Sequence, residues 1–222
     1  MVADDKFQIS TLELSSIGTE APPPPRITSQ ESVKARANDV WAGLVPVEKY
    51  GLSKRPDSVN VDNFNSGTVS ALTSGLLTFH QTSGSSSSLR SVPSPLACLA
   101  STPLAPNQFA LGGKEVDVSI WDVERTFSSS SDSPMIDAGK RKKNALEPGQ
   151  IWQAKNIPNN YLKLRPPVYH LALSWLNSPD SLVSGTKMGT VRRFDTRQRK
   201  PVADWKVARE GGVACLMPGE EK

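Results

Sequence analysis

The sequence predicts an all-β protein assembled from repeated four-stranded units, on three observations. The stretch FALGGKEVDVSIWD, Phe109 to Asp122, has an echo in LVSGTKMGTVRRFD, Leu182 to Asp195, at a constant spacing of 73 residues. Around both copies, short apolar runs alternate with polar or Gly-containing turns, the pattern of half-buried strands joined by tight connections. Composition agrees: 18 Pro, 15 Gly and 37% hydrophobic residues among 222 describe a chain rich in turns and loops.

Superposing the copies sets Gly112 on Gly185, Lys114 on Lys187, Val118 on Val191 and Trp121 on Phe194. Carried upstream, the same offset sets Pro93 on Pro166, Ser101 on Ser174 and Cys98-Leu99-Ala100 on Leu171-Ala172-Leu173. A strand that closes on an aromatic and Asp, repeated with its surroundings, is the per-blade signature of a WD-repeat β-propeller. One such blade cannot bury both of its faces, and stacking blades around an axis does so. A seven-bladed ring at about 40–45 residues per blade needs roughly 300 residues. The expectation is therefore an incomplete propeller, about three blades of a seven-bladed ring, in a chain that is either a fragment of a larger ring, the favoured reading, or one that closes by pairing with another molecule.

In chain order, residues 1–38 begin with FQISTLEL, whose Phe7, Ile9, Leu12 and Leu14 suggest one strand. Pro22 to Pro25 and a polar tract then read as a stiff spacer and a mostly disordered linker. Residues 39–207 hold the blades, at about 39–91, 92–156 and 157–207. In the first, VWAGLVPVE, TVSALTS and LLTFHQ read as strands, with Ser74-Gly75 as a hairpin turn. Phe79 there matches Trp121, and His80 takes the place of Asp as a structural substitute. The second blade runs through PLACLAS, QFALGG and VDVSIWD, and its fourth strand resumes only at IWQAKN. Trp152 set on Trp205 of ADWKV gives an offset of 53, so a polar, Ser-rich, basic insertion of 20 residues falls within 128–149 and is expected as a mobile surface loop. VACLMP, from Val213, opens what should be a further blade in residues 208–222.

No run of apolar residues approaches the roughly 20 needed to cross a bilayer, and no signal-like start precedes the chain's first turns, so an intracellular, soluble protein is expected. The two cysteines, Cys98 and Cys215, form no C-x-x-C pair and read as buried reduced thiols. No nucleophile elbow, dinucleotide fingerprint or phosphate-loop motif occurs, and with only two His no catalytic residue, metal or cofactor is expected. Asp117, Asp122 and Asp195 at strand ends suit turn capping better than acid–base chemistry.

Charge is uneven. Residues 140–209 carry 15 Lys and Arg against 4 Asp and Glu, while the whole chain is only +4. This half is where an anionic partner would be sought. Arg197, Arg199 and Lys200 in a turn after a blade's third strand could neutralise phosphates at a propeller rim, whereas alternation puts Arg192 and Arg193 on opposite faces. Lys140, Arg141, Lys142 and Lys143 suit nuclear-import recognition, phosphate contact or plain solvated charge. Tyr161, Lys163 and Arg165 lie in NIPNNYLKLRPPV, Asn156 to Val168, a Pro-bracketed linker between blades. They are placed either for contact with a partner or for packing across a blade edge.

GGKEVDVSIWD (Gly112 to Asp122), AKNIPNNYLKLRPPV (Ala154 to Val168) and GTKMGTVRRFDTRQRKPV (Gly185 to Val202) together resemble the nucleolar WD-repeat assembly factors of the large ribosomal subunit, the WD-repeat-containing protein 74 family with its fungal counterparts. The resemblance covers about Ser91 to Lys206. It implies a non-enzymatic scaffold of precursor large ribosomal subunits, active in ribosomal RNA processing in the nucleus and nucleolus. Its implied partners are precursor-subunit proteins, assembly factors and precursor ribosomal RNA. The chain departs from the family in lacking further blades and the basic tail, and in reading LRPPVYH where a single Pro is usual. A WD-repeat adaptor presenting proteins within another multi-subunit complex is the alternative.

Overall fold

The computed structural model describes residues 2–13, 26–50, 64–82, 87–128, 146–159 and 161–219. The chain divides into two units, Met1–Asp39 and Val40–Lys222. In the first, β1 (Val2–Ala3), β2 (Gln8–Glu13) and β3 (Arg26–Ser32) form an antiparallel sheet in the order β1-β2-β3. Asp4 Oδ1 accepts from the backbone N–H groups of Lys6 (3.0 Å) and Gln8 (2.8 Å), which fixes the β1–β2 turn. The expected linker over residues 26–32 is thus corrected to a strand. RITSQES carries a single large apolar residue, Ile27, which is 62% exposed, so hydrophobic periodicity is silent there and backbone pairing with β2 holds the strand instead. Pro22 to Pro25 fall outside the described residues.

Among the described residues, the second unit contains three antiparallel meanders of four strands each. The first is β4 (Trp41–Tyr50), β5 (Phe64–Leu72), β6 (Leu76–Gln81) and β7 (Ser87–Ser91). The second is β8 (Leu96–Ser101), β9 (Gln108–Gly113), β10 (Ser119–Asp122) and β11 (Gln150–Gln153), with the one-turn helix α1 (Val123–Phe127) between its last two strands. The third is β12 (His170–Trp175), β13 (Ser181–Thr186), β14 (Thr190–Asp195) and β15 (Pro201–Lys206). The first strands lie together, β4 against β8 and β8 against β12. Meander sheets whose first strands converge are propeller blades, and the all-β WD-repeat architecture holds.

The repeated stretch is the second and third strand of a blade, and its register recurs. Trp121 pairs with Phe109 in the second blade and Phe194 with Leu182 in the third. In the first blade the residue at that position is His80, opposite Thr68, and not Phe79 as the sequence match implies. Phe79 pairs with Val69 one step nearer the turn, the place of Ile120 in the second blade, and so packs toward the following blade as Ile120 does. Successive strand residues point to opposite faces, so the second blade sends alternate residues to two interfaces. Toward the first blade, Phe109, Leu111 and Trp121 join Val69, Leu77 and Phe79. Toward the third, Ala110, Val118 and Ile120 join Leu182 and Phe194. Each interface has its own aromatic contact. The Phe127 ring lies 5.6 Å from Phe79 and 6.3 Å from Phe109, and the Trp152 ring meets Phe194 edge-on at 5.9 Å.

Two further alignments implied by the sequence shift in the structure. The gapless offset of 73 holds for the second and third strands but not the first, where Cys98 pairs with Gly112 and Ala172, not Leu171, pairs with Gly185. The loop after β8 (residues 102–107) is one residue longer than the loop after β12 (residues 176–180). A one-residue slip exchanges the faces of a strand, so this matters to the core. The pairing of Trp152 with Trp205 is also wrong. Trp152 sits opposite Ile120, whereas Trp205 sits opposite Val191, two positions from Arg193, the equivalent of Ile120. Trp152 therefore corresponds to Ala203, and the insertion is two residues longer than the tryptophans suggest. The slip keeps face parity, which is why the pattern concealed it.

Helix α1 is absent from the sequence expectation, although its signals are present. Asp122 is its N-cap, accepting from Arg125 N–H at 2.9 Å, and Thr126 Oγ1 donates back to the Asp122 carbonyl at 2.6 Å. Val123 and Phe127, four apart, bury one face. The Asp122 N–H donates to the Gly149 carbonyl at 2.9 Å, bringing the chain before and after the insertion together. Gly149 has φ 91°, and a side chain there would strike Thr126. Val213, expected to open a further blade, donates to the Thr186 carbonyl at 3.0 Å and packs over Gly185, but residues 207–219 form no strand.

Trp121→Ala empties the largest fully buried site among the described residues and removes the partner of Ser119 Oγ, which accepts the indole N–H at 2.9 Å. Equilibrium denaturation should show a loss of about 3–5 kcal/mol. Trp205→Ala, at a ring 50% exposed, should cost less than about 1 kcal/mol. Equal losses would contradict this assignment of faces.

Candidate functional site

Where the second blade meets the third, the turn after β14 is built on its own aspartate. Asp195 Oδ1 accepts from the Arg197 N–H at 3.0 Å, closing the turn as strand-end aspartates do. The Arg197 guanidinium then clamps the same carboxylate through Nε (2.9 Å) and Nη2 (2.8 Å). These bonds, side-chain first, pull the Asp195 carboxyl down to about 2. One of the three rim cations is thereby neutralised within its own turn.

The same turn is latched onto the outer strand of the neighbouring blade. Trp152 Nε1 donates to the Gln198 carbonyl (3.3 Å), Arg199 Nε to the Gln153 carbonyl (2.9 Å), and the Lys155 N–H to the Arg199 carbonyl (2.7 Å). Arg199 is therefore a blade-joining residue as well as an exposed cation. Lys200 and Lys155 are exposed beside it, with no hydrogen-bonding or ionic side-chain partner among the described residues.

The linker that follows β11 is folded back by two asparagines. Asn156 Nδ2 donates to the Pro166 carbonyl and Asn159 Nδ2 to the Lys163 carbonyl, each at 3.1 Å. Lys163 takes a left-handed φ of 59° within this bracket. Val168, buried, anchors the far end, its carbonyl accepting from the Glu115 N–H at 2.9 Å. Between the anchors the tip is open: Tyr161 is 91% exposed, and Lys163 and Arg165 are exposed too. Of the two alternatives for this linker, packing of Tyr161 across a blade edge is not what the structure has. Leu162 (58%) and Leu164 (59%) are also exposed, and no periodicity in the linker marks them out beforehand.

One linker cation, Arg165, and one rim cation, Arg199, both act on the Asp117 carboxyl. Burial pushes the Asp117 carboxyl up, and Arg165, from the linker, is the foremost charge opposing that, with Arg192 and Arg199 acting in the same sense and Glu115 against. A cavity of about 10 Å³, room for about one water, lies between the blades beside Asp117, Asn156, His170 and Arg192. Arg192 is buried and paired across strands with Asp204 at 3.3 Å, whereas Arg193 is exposed and donates to Ser181 Oγ at 3.1 Å. They do lie on opposite faces.

His170 Nδ1 bonds Ser184 Oγ at 3.1 Å, and in the first blade His80 Nε2 bonds Ser70 Oγ at 3.0 Å, both buried and both structural. Cys98 is buried, its thiol pushed up to about 12 by burial and directed at the carbonyls of Gly112 and His170. Cys215 is exposed, contrary to expectation, because residues 207–219 pair with no second strand. Lys140, Arg141, Lys142 and Lys143 lie outside the described residues.

Burial, seconded by the Arg192 charge, drives His170 down from 6.5 to about 4. Its folded value lies below its unfolded one, so the stability it protects is complete above pH 6.5 and drains as pH falls toward 4. The expected loss by pH 4 is on the order of 3 kcal/mol. Denaturation curves at several pH values should show this slope, and His170→Gln should flatten it.

No protein-family model matches the chain. It is similar to "Ribosome biogenesis protein NSA1" of Meyerozyma guilliermondii, 31% identical over 116 residues that cover 51% of this chain and 26% of that protein. It is likewise similar to "WD repeat-containing protein 74" of Homo sapiens, 30% identical over 104 residues, 46% of this chain and 22% of the relative. "Ribosome biogenesis protein nsa1" of Schizosaccharomyces pombe is 25% identical over 166 residues, 68% of this chain and 41% of the relative. The chain thus spans between about a fifth and two fifths of the length of these relatives. Over that span the family resemblance carried by the sequence motifs is borne out, and the chain is similar to WD-repeat proteins of ribosome biogenesis.

Proposed function

We propose that this chain is a non-catalytic scaffold of precursor large ribosomal subunits, acting in ribosome biogenesis and ribosomal RNA processing in the nucleolus. Its blades form part of a seven-bladed ring, and its partners are precursor-subunit proteins, assembly factors and precursor ribosomal RNA. The observation that carries the proposal is the cationic rim held across two blades, in a chain similar to proteins named for ribosome biogenesis.

The rim works by position. Lys155 and Lys200 project from backbone segments that are hydrogen-bonded to each other's neighbours, so their spacing is fixed by the latch. Fixed cations neutralise phosphates and release counterions, which gives affinity and orientation without reading bases. Arg197 contributes less than its charge suggests, because Asp195 already holds it.

Sedimentation of the tagged protein tests this directly. Co-migration with precursor large subunits is expected, and absence from those fractions would favour an adaptor in another complex. The double variant Lys155→Glu/Lys200→Glu should weaken particle association and lower the salt slope by about 0.7–0.9 for each phosphate no longer neutralised. Unchanged association across several salt concentrations would remove the rim from the mechanism.

A further inference from the structure

We infer that the linker tip, Tyr161 to Arg165, is a docking site for an acidic protein segment that carries apolar side chains. The inference rests on the scaffold reading and supplies the chemistry of one partner.

Three features converge on it. The tip exposes two leucines and a tyrosine in consecutive company with two cations. It is held in shape: Asn156 and Asn159 clip it through the Pro166 and Lys163 carbonyls, Lys163 sits in the left-handed region, and Val168 is buried at its base. A partner therefore meets an ordered surface and loses less in ordering it. Finally, the sequence has no Asp or Glu from Pro148 through Pro179, so the only formal charges over that stretch are positive.

The leucines decide between a protein and a nucleic acid. A single exposed tyrosine could stack on a base, and cations could meet phosphates. Leu162 and Leu164 have no such use, since an aliphatic side chain neither stacks nor neutralises, but apolar anchors rimmed by charge are what a protein interface is made of. The cations then select the acidic members among apolar segments and speed the encounter.

The test uses the purified 222-residue chain and fluorescence anisotropy. The probes are a labelled peptide of Asp, Glu, Leu and Phe, the same peptide with Lys and Arg in place of its acids, and a labelled single-stranded RNA. The acidic peptide should bind and its basic counterpart should not. Leu162→Ser/Leu164→Ser should weaken the acidic peptide about 10-fold or more and leave the RNA titration where it was. Lys163→Glu should weaken the peptide and reduce its salt dependence. Both leucines are exposed, so unfolding curves should match the parent chain. No binding of the acidic peptide, or binding indifferent to the leucine pair, overturns the site. Loss of RNA binding in the leucine variant overturns it too and reassigns the tip to nucleic acid. Failure of the scaffold reading looks different: the protein is then missing from precursor-subunit fractions while the peptide still binds.

Discussion

Two-sided burial governs this structure. A four-stranded sheet whose residues alternate between faces cannot shelter both faces by itself, and here each interface is completed by the neighbouring blade. The aromatic that closes the third strand is where that requirement is most concentrated. Trp121 fills the interface to the first blade and Phe194 the interface to the second, each paired across its own sheet with an apolar residue of the strand before. The adjoining aspartates serve local backbone. Asp122 caps a helix and Asp195 closes a turn, which leaves them little part in any acid–base chemistry.

Polar contacts add what apolar packing cannot, namely direction. The inner parts of the second and third blades meet through side chains, while their outer parts are stitched by hydrogen bonds from Trp152, Arg199 and Lys155. Arg192 is paired to Asp204 across β14 and β15, so the rim turn follows a braced strand pair. Arg199 is best understood as the joint between the two blades. Its planar donor suits a carbonyl across the gap in a way that a lysine would not reproduce.

The blades were legible in the sequence because the repeat copies a burial pattern, and burial is what the fold requires. Legibility failed where pairing, not burial, decides. The strand Arg26–Ser32 has almost no apolar signal, and the SSLRS strand of the first blade has little more. Two tryptophans invited a false alignment because a slip of two keeps both on the same face, and a one-residue loop difference ahead of β9 and β13 leaves no mark in composition. At the rim, the cationic residue types are legible in the sequence, but their partners are not. Asp195 lies two residues from Arg197, whereas Gln153 is 46 residues from Arg199, and only folding brings the second pair together. The exposed leucines carry no mark in the sequence, because apolar residues in a linker are expected to find cover.

The stem of the insertion has a consequence of a different kind. Asp122 and Gly149 are joined by a backbone hydrogen bond, Phe127 is seated in the core, and Gly149 fits against Thr126, so the chain leaves and re-enters the blade at one anchored doorway. Loop closure then grows only with the logarithm of what lies between, about 0.6 kcal/mol for each doubling of length. The doorway is a natural graft point: foreign sequence, from an affinity tag to a folded module, can be spliced between residues 128 and 146 while the second blade keeps its registration.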